Sequence, residues 1–327
     1  MYESLLQLDP IKINFSESGS LILNIVLALI MFGIALGMHT KQFKTLLQSP
    51  KPVIIGALLQ FLILPFITFV LVVLLNKVIT PTVAMGMILV AACPGGNISN
   101  FMTSLSKGNT ELSVTLSAIS TIFAIFMTPF NFRFWGGLYV NFINSRAGSM
   151  LQPLEIEYSQ MFQTVIIILG IPIVAGILFA KYFPAISLKM KKVFQYISII
   201  FFVALVVIMF SNNWQLFVNY IKYIFIIVLI HNTTLLMAGY GISALLRQPD
   251  KNRRTLTIET GIQNSGLGIV LLLNPQIFPP EMAIGGMLFV TPWWGIWHII
   301  SGLSISFYWS RKTVITKRMS PQHRDLA

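Results

Sequence analysis

The stretch IETGIQNSGLG, residues 258–268, contains one carboxylate, two side-chain amides and three glycines. The apolar segment that ends in TLTI leads into it, and the apolar segment IVLLL follows it. Each glycine destabilises a helix by about 1 kcal/mol relative to alanine. A carboxylate inside a bilayer costs roughly 2.5–3.5 kcal/mol even on insertion scales. The stretch therefore predicts an interrupted helix that holds a functional acid, Glu259.

The composition indicates a polytopic membrane protein of the all-α class. Of the 327 residues, 55% are hydrophobic and 10% are charged, whereas about a quarter of the residues in a soluble domain are charged. A membrane helix needs roughly 17–25 residues, and nine apolar stretches reach that length, the third and eighth with a polar interruption. They lie at about 20–38, 53–76, 83–106, 111–136, 160–183, 193–211, 216–246, 255–274 and 281–309.

The basic residues mark one side of this predicted membrane protein, which argues against nucleic acid as a partner despite the net charge of +12. Seventeen of the 22 Lys and Arg fall in alternate loops and in the C-terminal tail. Because cytoplasmic loops carry an excess of positive charge, we expect the N-terminus outside and the C-terminus inside an inner (plasma) membrane. These residues are Lys41, Lys44, Lys51, Lys107, Lys181, Lys189, Lys191, Lys192, Arg247, Lys251, Arg253, Arg254, Arg311, Lys312, Lys317, Arg318 and Arg324.

The predicted helices divide the chain into two repeats with a tail at each end. The first nineteen residues lack the basic and apolar regions of a cleaved signal peptide, so we expect them to remain as an external tail. The segments are an N-terminal tail (1–19), a four-helix first repeat (20–137, with the broken helix 83–106), an external loop (138–159), a five-helix second repeat (160–309, with the broken helix 255–274) and a cytoplasmic tail (310–327).

The residues available for chemistry argue against an enzyme or a channel. A single cysteine, Cys93, leaves no intramolecular disulfide, and no spacing of Cys and His typical of a metal site occurs. Catalysis would have to combine Cys93 with His231 or His298, which are far away in sequence. A channel would need a polar stripe through several helices, whereas the polar residues concentrate at the two interruptions.

The interruption at 258–268 has a counterpart in the first half, AACPGGNISN at residues 91–100. Non-helical backbone is tolerated in a membrane only where it is buried or lines a watery cavity. Two such breaks in corresponding positions point to the binding site of a transporter with inverted repeats. The alternative is that these glycines only allow close helix packing. The clustering of side-chain oxygens in both breaks favours the binding site.

Glu259 is the only one of the ten acidic residues that falls within a broken span. No intramembrane Lys or Arg lies near the breaks, so its partner is expected to be a bound cation or a proton. Divalent cations recruit several carboxylates, whereas one carboxylate with amide, hydroxyl and carbonyl oxygens suits Na⁺. A proton-coupled carrier or a cation/proton antiporter is the alternative, because Glu259 would then titrate. The half-helix N-termini are expected to face an anionic substrate.

Other polar residues in the spans can be interpreted in two ways. Gln60, His231 and Asn232 lie at the middle of spans that precede the breaks, and such residues act either as ligands or as hydrogen bonds between helices. Ser113, Ser117 and Ser120 share one helix face because they are spaced by four and three residues. These serines form either a packing face or a ligand set.

Several motifs together resemble the bile acid:sodium symporter family over nearly the whole chain. They are MFGIALGM, PVIIGALLQF, ACPGGNISNFMTSLSKGN, LSVTLSAIST, LIHN and IETGIQNSGL. The resemblance implies a core domain in which the two broken helices cross, a separate panel domain, and elevator-like alternating access. It also implies nine helices, as in the animal bile acid carriers.

The resemblance implies two Na⁺ sites that share Glu259. The first site would use Ser99, Asn100, Ser113, Ser117 and Glu259, and the second would use Gln60, Glu259, Gln263 and the carbonyls of Thr260 and Ile262.

Substrate recognition departs from the family pattern. The family carries a Trp-His-Asn tripeptide in its last helix, whereas this chain has Trp297, His298 and Ile299. We therefore expect Asn97, Asn264, His298 and Ile299 to line the substrate site. The loss of the amide favours a small organic carboxylate over a bile acid. Membrane lipid is expected around the protein, with no obligate protein partner.

Overall fold

The computed structural model describes residues 1–11, 17–37, 49–147, 158–212, 214–279 and 281–314. These residues form helices and connecting turns, with one isolated β-bridge, and no strand occurs in the described part. Five of the helices are long and apolar enough to cross a membrane. The all-helical class is therefore confirmed.

The helices follow the apolar stretches of the sequence closely. In chain order they are α1 (Tyr2–Leu6), α2 (Glu17–Ala35), α3 (Pro50–Leu74), α4 (Pro81–Ala92), α5 (Ile98–Leu105), α6 (Thr110–Ala147), α7 (158–182), α8 (Pro184–Asn212), α9 (Trp214–Leu245), α10 (Asp250–Gly261), α11 (Ser265–Leu272) and α12 (Gly285–Ser310). Nine membrane spans remain a prediction, because α4, α5, α10 and α11 are each short.

Both polar interruptions break a helix. Helix α4 ends before Cys93, whose backbone is extended, and α5 begins at Ile98. Helix α10 ends before Ile262, whose backbone is also extended, and α11 begins at Ser265. The clusters of Pro, Gly and Asn at these places explain the breaks, because such residues favour turns over a continuous helix.

The two breaks contact each other through their backbones. The Gly96 amide donates to the Ile262 carbonyl at 2.8 Å, and the Asn264 amide donates to the Pro94 carbonyl at 2.8 Å. A side chain at Gly96 would lie 3.1 Å from the carbonyl oxygen of Gln263, so glycine allows this close approach. Backbone groups that the breaks release from the helices thus satisfy one another inside the protein, as a membrane interior requires.

The interior and the outer surface divide as expected for a protein surrounded by lipid. The core contains much of α4, α11 and the first half of α12, including the fully buried Trp294. Large apolar side chains are exposed along α3, α7, α8 and α9. Such a surface would aggregate in water, whereas membrane lipid covers it.

Two regions differ from their expected character. Helix α6 continues to Ala147, although residues 138–147 were expected in the external loop; this part of the chain contains no proline that would stop the helix. The expected N-terminal tail packs on the protein through the buried Leu5 and Leu8. Asp9 accepts hydrogen bonds from Thr80 and Thr82 at the N-terminus of α4, where the helix dipole favours a carboxylate. The rest of the predicted loop, 148–157, and most of the C-terminal tail lie outside the described residues.

Candidate cation site

The Glu259 carboxylate lies near the C-terminal end of α10, in contact with hydroxyl groups from α5 and α6. Its side chain is buried, with 6% of the residue exposed. One carboxylate oxygen, Oε1, accepts from Ser99 Oγ at 2.6 Å and from Ser113 Oγ at 2.5 Å. The second oxygen, Oε2, lies 3.4 Å from Ser117 Oγ. The two oxygens therefore differ: Oε1 has two short hydrogen bonds and Oε2 has one long one.

Asn100 completes this group of hydroxyls. Its Oδ1 lies 2.9 Å from Ser113 Oγ and 3.4 Å from Ser117 Oγ. Each serine has one proton, so a serine that donates to Glu259 cannot also donate to Asn100. The cluster thus has more acceptor oxygens than protons, which is the chemistry of a site that binds a cation.

Gln60 and Gln263 form a second group beside the crossing point. Gln60 Nε2 donates to Cys93 O and to Gln263 Oε1, both at 2.9 Å. Gln263 Nε2 donates to Thr260 O at 2.9 Å. These bonds fix both amide groups and leave Gln60 Oε1 with one weak partner, Gln263 Nε2 at 3.5 Å.

A widened turn in α3 positions Gln60. Residues Leu59–Ile63 form a π-helical turn immediately before Pro65. Proline has no amide hydrogen and interferes with the carbonyl four residues earlier, which here belongs to Phe61. That carbonyl accepts instead from Asn131 Nδ2 at 3.0 Å. Turns of this kind are frequent at functional sites.

The two backbone carbonyls predicted as ligands each have one hydrogen-bond partner among the residues that the structure describes. Thr260 O accepts from Gln263 Nε2, and Ile262 O accepts from the Gly96 amide. A carbonyl oxygen has two lone pairs, so each can also bind a cation. The structure thus brings together all nine residues predicted for the cation sites.

Glu259 is separate from the charged network at the other end of α10. Two ion pairs join Asp250 to Arg253 at 3.4 Å and to Arg254 at 2.8 Å, and neither involves Glu259. The partners of Glu259 are neutral hydroxyl groups. A buried carboxylate without an ion pair is costly unless a bound cation or a proton neutralises it.

The four residues predicted for the substrate site occupy different environments. Asn97 is exposed before α5, and Asn264 begins α11 by accepting from the Leu267 amide at 3.1 Å. His298 is buried, with Nδ1 2.8 Å from Trp294 O. Ile299 packs on the cluster of Met102, Ile258 and Ile262. The two asparagines thus lie at half-helix N-termini, while His298 and Ile299 contribute to the packing of α12.

Asn232 connects three helices near Glu259, a role that the sequence analysis left open. Its Nδ2 donates to Gly261 O at 2.8 Å, and its Oδ1 accepts from Ser301 Oγ at 2.6 Å. The amide therefore connects α9 and α12 to the carbonyl end of α10, two residues after Glu259. In the sequence, only the position of the polar pair His231–Asn232 within an apolar span indicated a role for Asn232.

Comparison with known proteins identifies the group to which the chain is related. Residues 24–220 match the model of the Sodium Bile acid symporter family. The chain is 32% identical over 290 residues to the uncharacterized sodium-dependent transporter YocS of Bacillus subtilis, covering 89% of this chain and 83% of that protein. It is 30% identical over 297 residues to the hepatic sodium/bile acid cotransporter of Rattus norvegicus, covering 88% and 75%.

Other relatives are longer than the region they share with this chain. The probable sodium/metabolite cotransporter BASS2 of Oryza sativa is 28% identical over 277 residues, which cover 82% of this chain and 62% of that protein. The chain spans about half, 52%, of the P3 protein of Bos taurus. The relatives whose names state an activity are transporters rather than enzymes. The chain belongs to the sodium bile acid symporter family and is a multi-pass, sodium-dependent membrane transporter.

Proposed function

We propose that the protein carries a small organic anion across an inner (plasma) membrane together with two Na⁺ ions that share Glu259. The observation that supports this best is the arrangement of the carboxylate. Its Oε1 accepts from the hydroxyl groups of Ser99 and Ser113. Its Oε2 borders the space beside Gly95, which Gln60 Oε1 also borders. One carboxylate can thus bind two cations, one on each side.

The donor set favours a monovalent cation such as Na⁺ over divalent cations. Hard divalent cations take six or more oxygens and usually several carboxylates, and no group of three or more His, Cys, Asp and Glu occurs in the described part of the chain. One carboxylate with hydroxyl, amide and carbonyl oxygens carries a single negative charge. That charge matches monovalent cations better than divalent ones.

The crossing point is suited to an anionic substrate. Helices α5 and α11 both begin there, and each N-terminus carries a partial positive charge of roughly half an electron. Asn97 and Asn264 lie at these N-termini. Their side chains can bind a carboxylate, while Ile299, in place of the amide that the family pattern has there, favours a small molecule over a sterol conjugate.

The proposed stoichiometry makes uptake electrically favourable. Moving one negative charge into a cell against an inside-negative potential costs about 2.3 kcal/mol per 100 mV. Co-transport of two Na⁺ with a monoanion moves one net positive charge inward. The membrane potential and the Na⁺ gradient then both drive uptake.

Alternating access follows the elevator scheme of the family in this proposal. Helices α2, α7 and α8 pack on one another and would form the panel, while α3–α6 and α9–α12 surround the crossing point and would form the core. The core would move against the panel with its bound ions. In terms of sequence, both domains combine elements of the two proposed repeats, 20–137 and 160–309.

A proton-coupled carrier or antiporter is the second candidate, because Glu259 lacks an ion pair and could exchange a proton. Uptake of small carboxylates such as 2-oxo acids or pantoate into proteoliposomes separates the two candidates. We expect an inward Na⁺ gradient at equal pH to drive accumulation, and a pH gradient without Na⁺ to leave uptake at the level of empty liposomes. Accumulation driven by the pH gradient alone would contradict Na⁺ coupling. A bile acid conjugate in the same assay tests the size of the substrate.

The proposed orientation can be tested with single cysteines in a Cys93→Ala background. Ser145 is exposed near the end of α6, and Lys312 is exposed after α12. By the distribution of positive charge, Ser145→Cys should react with an impermeant thiol reagent from outside intact cells, and Lys312→Cys only after permeabilisation. Reaction of both from the same side would contradict an odd number of spans between them and the topology proposed here.

A further inference from the structure

The unfilled space beside Gly95 is surrounded by oxygens that belong to three different helices. A side-chain carbon at Gly95 would lie 3.3 Å from Glu259 Oε2, 3.6 Å from Ser120 Oγ and 3.7 Å from Gln60 Oε1. Gln60, Ser120 and Glu259 also line a common small cavity with Thr260. The three oxygens therefore border the place that a methyl group on residue 95 would occupy, at which the described part of the chain has no atom.

Each of these oxygens has unused capacity to bind a cation. Within the described parts of the chain, Glu259 Oε2 has only the 3.4 Å contact from Ser117, and Gln60 Oε1 has only the 3.5 Å contact from Gln263. Ser120 Oγ donates its proton to Ser117 O at 3.1 Å, which leaves its lone pairs directed elsewhere. A carboxylate, an amide oxygen and a hydroxyl form a suitable ligand set for a hard monovalent cation.

The backbone does not explain why residue 95 is glycine. Its φ angle lies outside the left-handed region, so the conformation does not favour glycine. In this respect Gly95 differs from Gly96, where the backbone of Gln263 comes within 3.1 Å. The absence of a side chain at residue 95 is therefore explained better by an occupant of the adjacent space than by the backbone.

We propose that Ser120 is an additional ligand of the cation held by Gln60 and Glu259, and that residue 95 must lack a side chain to leave room for this ion. The inference rests on the proposed function, in which this cation is Na⁺. It adds a side-chain ligand from α6 to the second site, so that α6 contributes to both sites: Ser113 and Ser117 to the first, Ser120 to the second. The occupancy of both sites then depends on one helix.

Thr121 provides a matched control for Ser120. Both side chains are buried and both donate to the same carbonyl, Ser117 O, at 3.1 Å and 2.7 Å respectively. Only Ser120 lines the cavity. Ser120→Ala and Thr121→Val therefore remove the same kind of intrahelical hydrogen bond, but only the first removes a proposed ligand.

The test measures the thermal stability of the purified full-length protein as NaCl replaces choline chloride at constant ionic strength. We expect Ser120→Ala to raise the Na⁺ concentration for half-maximal stabilisation about fivefold to tenfold, as for the loss of one polar interaction. Thr121→Val should retain the parent value. An equal response of Ser120→Ala and Thr121→Val would overturn the assignment of Ser120.

Gly95→Ala tests the second half of the proposal independently. The added methyl group would lie at ordinary contact distances from the three oxygens, or slightly closer, so the ion-free protein should fold. The Na⁺ concentration for half-maximal stabilisation should rise at least tenfold. Gly137→Ala on α6 is the control, because a side chain there would have nothing within 4 Å. Parent-like Na⁺ stabilisation of Gly95→Ala would overturn the role of residue 95. A parent protein that Na⁺ does not stabilise would overturn the proposed function itself.

Discussion

Replacing Glu259 by glutamine is expected to abolish Na⁺-driven uptake and to leave a folded protein. Glutamine retains an oxygen that can accept from Ser99 and Ser113, and its uncharged amide nitrogen replaces the second carboxylate oxygen. Removing one partner of a buried charge interaction typically costs at least about 3 kcal/mol, which is roughly a hundredfold in Na⁺ affinity. Because both proposed sites include Glu259, neither should bind Na⁺ in this variant at physiological concentrations.

The stability of the same variant without Na⁺ distinguishes a functional charge from a structural one. An ionised carboxylate in the membrane costs roughly 2.5–3.5 kcal/mol, so Glu259→Gln should be at least as stable as the parent in choline chloride. In NaCl the parent should gain stability and the variant should not. Glu281→Gln, at an exposed position, serves as the control and should behave as the parent. Near-normal Na⁺-driven uptake by Glu259→Gln would contradict the assignment.

Replacing Arg254 by leucine is expected to cause the largest loss of stability among substitutions outside the cation sites. Arg254 is 3% exposed and forms an ion pair of 2.8 Å with the buried Asp250. Its guanidinium also donates to Ser106 O at 2.8 Å and to Trp309 O at 3.1 Å, at the ends of α5 and α12. Removing one partner of a buried ion pair destabilises a protein by about 3–5 kcal/mol. The variant should therefore unfold at a clearly lower temperature in a thermal-shift measurement.

The adjacent arginine provides the matched comparison. Arg253 lies 3.4 Å from the same Asp250, but 23% of its side chain is exposed. Exposed ion pairs contribute roughly 0–1 kcal/mol, so Arg253→Leu should lower the unfolding temperature much less. Adding Asp250→Asn to Arg254→Leu should recover part of the loss, because it also removes the buried negative charge that Arg254 compensated. Equal effects of Arg253→Leu and Arg254→Leu would contradict this account of the α10 N-terminus.

The sequence predicted the broken helices well because their cause is local. Pro94, Gly95 and Gly96 in one break, and Gly261 with Asn264 in the other, disfavour a continuous helix wherever they occur. Apolar flanking segments make the chain a membrane protein, and in a membrane such breaks are tolerated only near a buried site. The position of the carboxylate in one of them then pointed to a cation.

The partners of the carboxylate could not be predicted from such local rules. Ser99 lies 160 positions from Glu259, and only the resemblance to a known family indicated that they meet. Ser120 shows the limit of that resemblance: it shares a helix face with Ser113 and Ser117, but its distance from Gly95 depends on how α6 packs against the crossing point. Helix periodicity predicts which residues share a helix face, but not which residues that face packs against.

Charge counting also had a limit that the structure makes clear. Arg254 was counted among the cytoplasmic loop charges that set the topology. It is in fact buried inside α10, with its charge opposed by Asp250 and by the carbonyl ends of two other helices. The positive-inside rule depends on sequence position near a helix end, so it cannot distinguish an exposed arginine from a buried one. The predicted orientation does not depend on this residue alone.

The binding of radioactive Na⁺ to the purified protein, at equilibrium and without substrate, tests the sharing of Glu259 by two ions most directly. The account predicts two Na⁺ ions per chain for the parent and for Thr121→Val, and none for Glu259→Gln in the concentration range that saturates the parent. Parent-like binding by Glu259→Gln, or loss of only one of two ions in that variant, would contradict the claim that one carboxylate holds both.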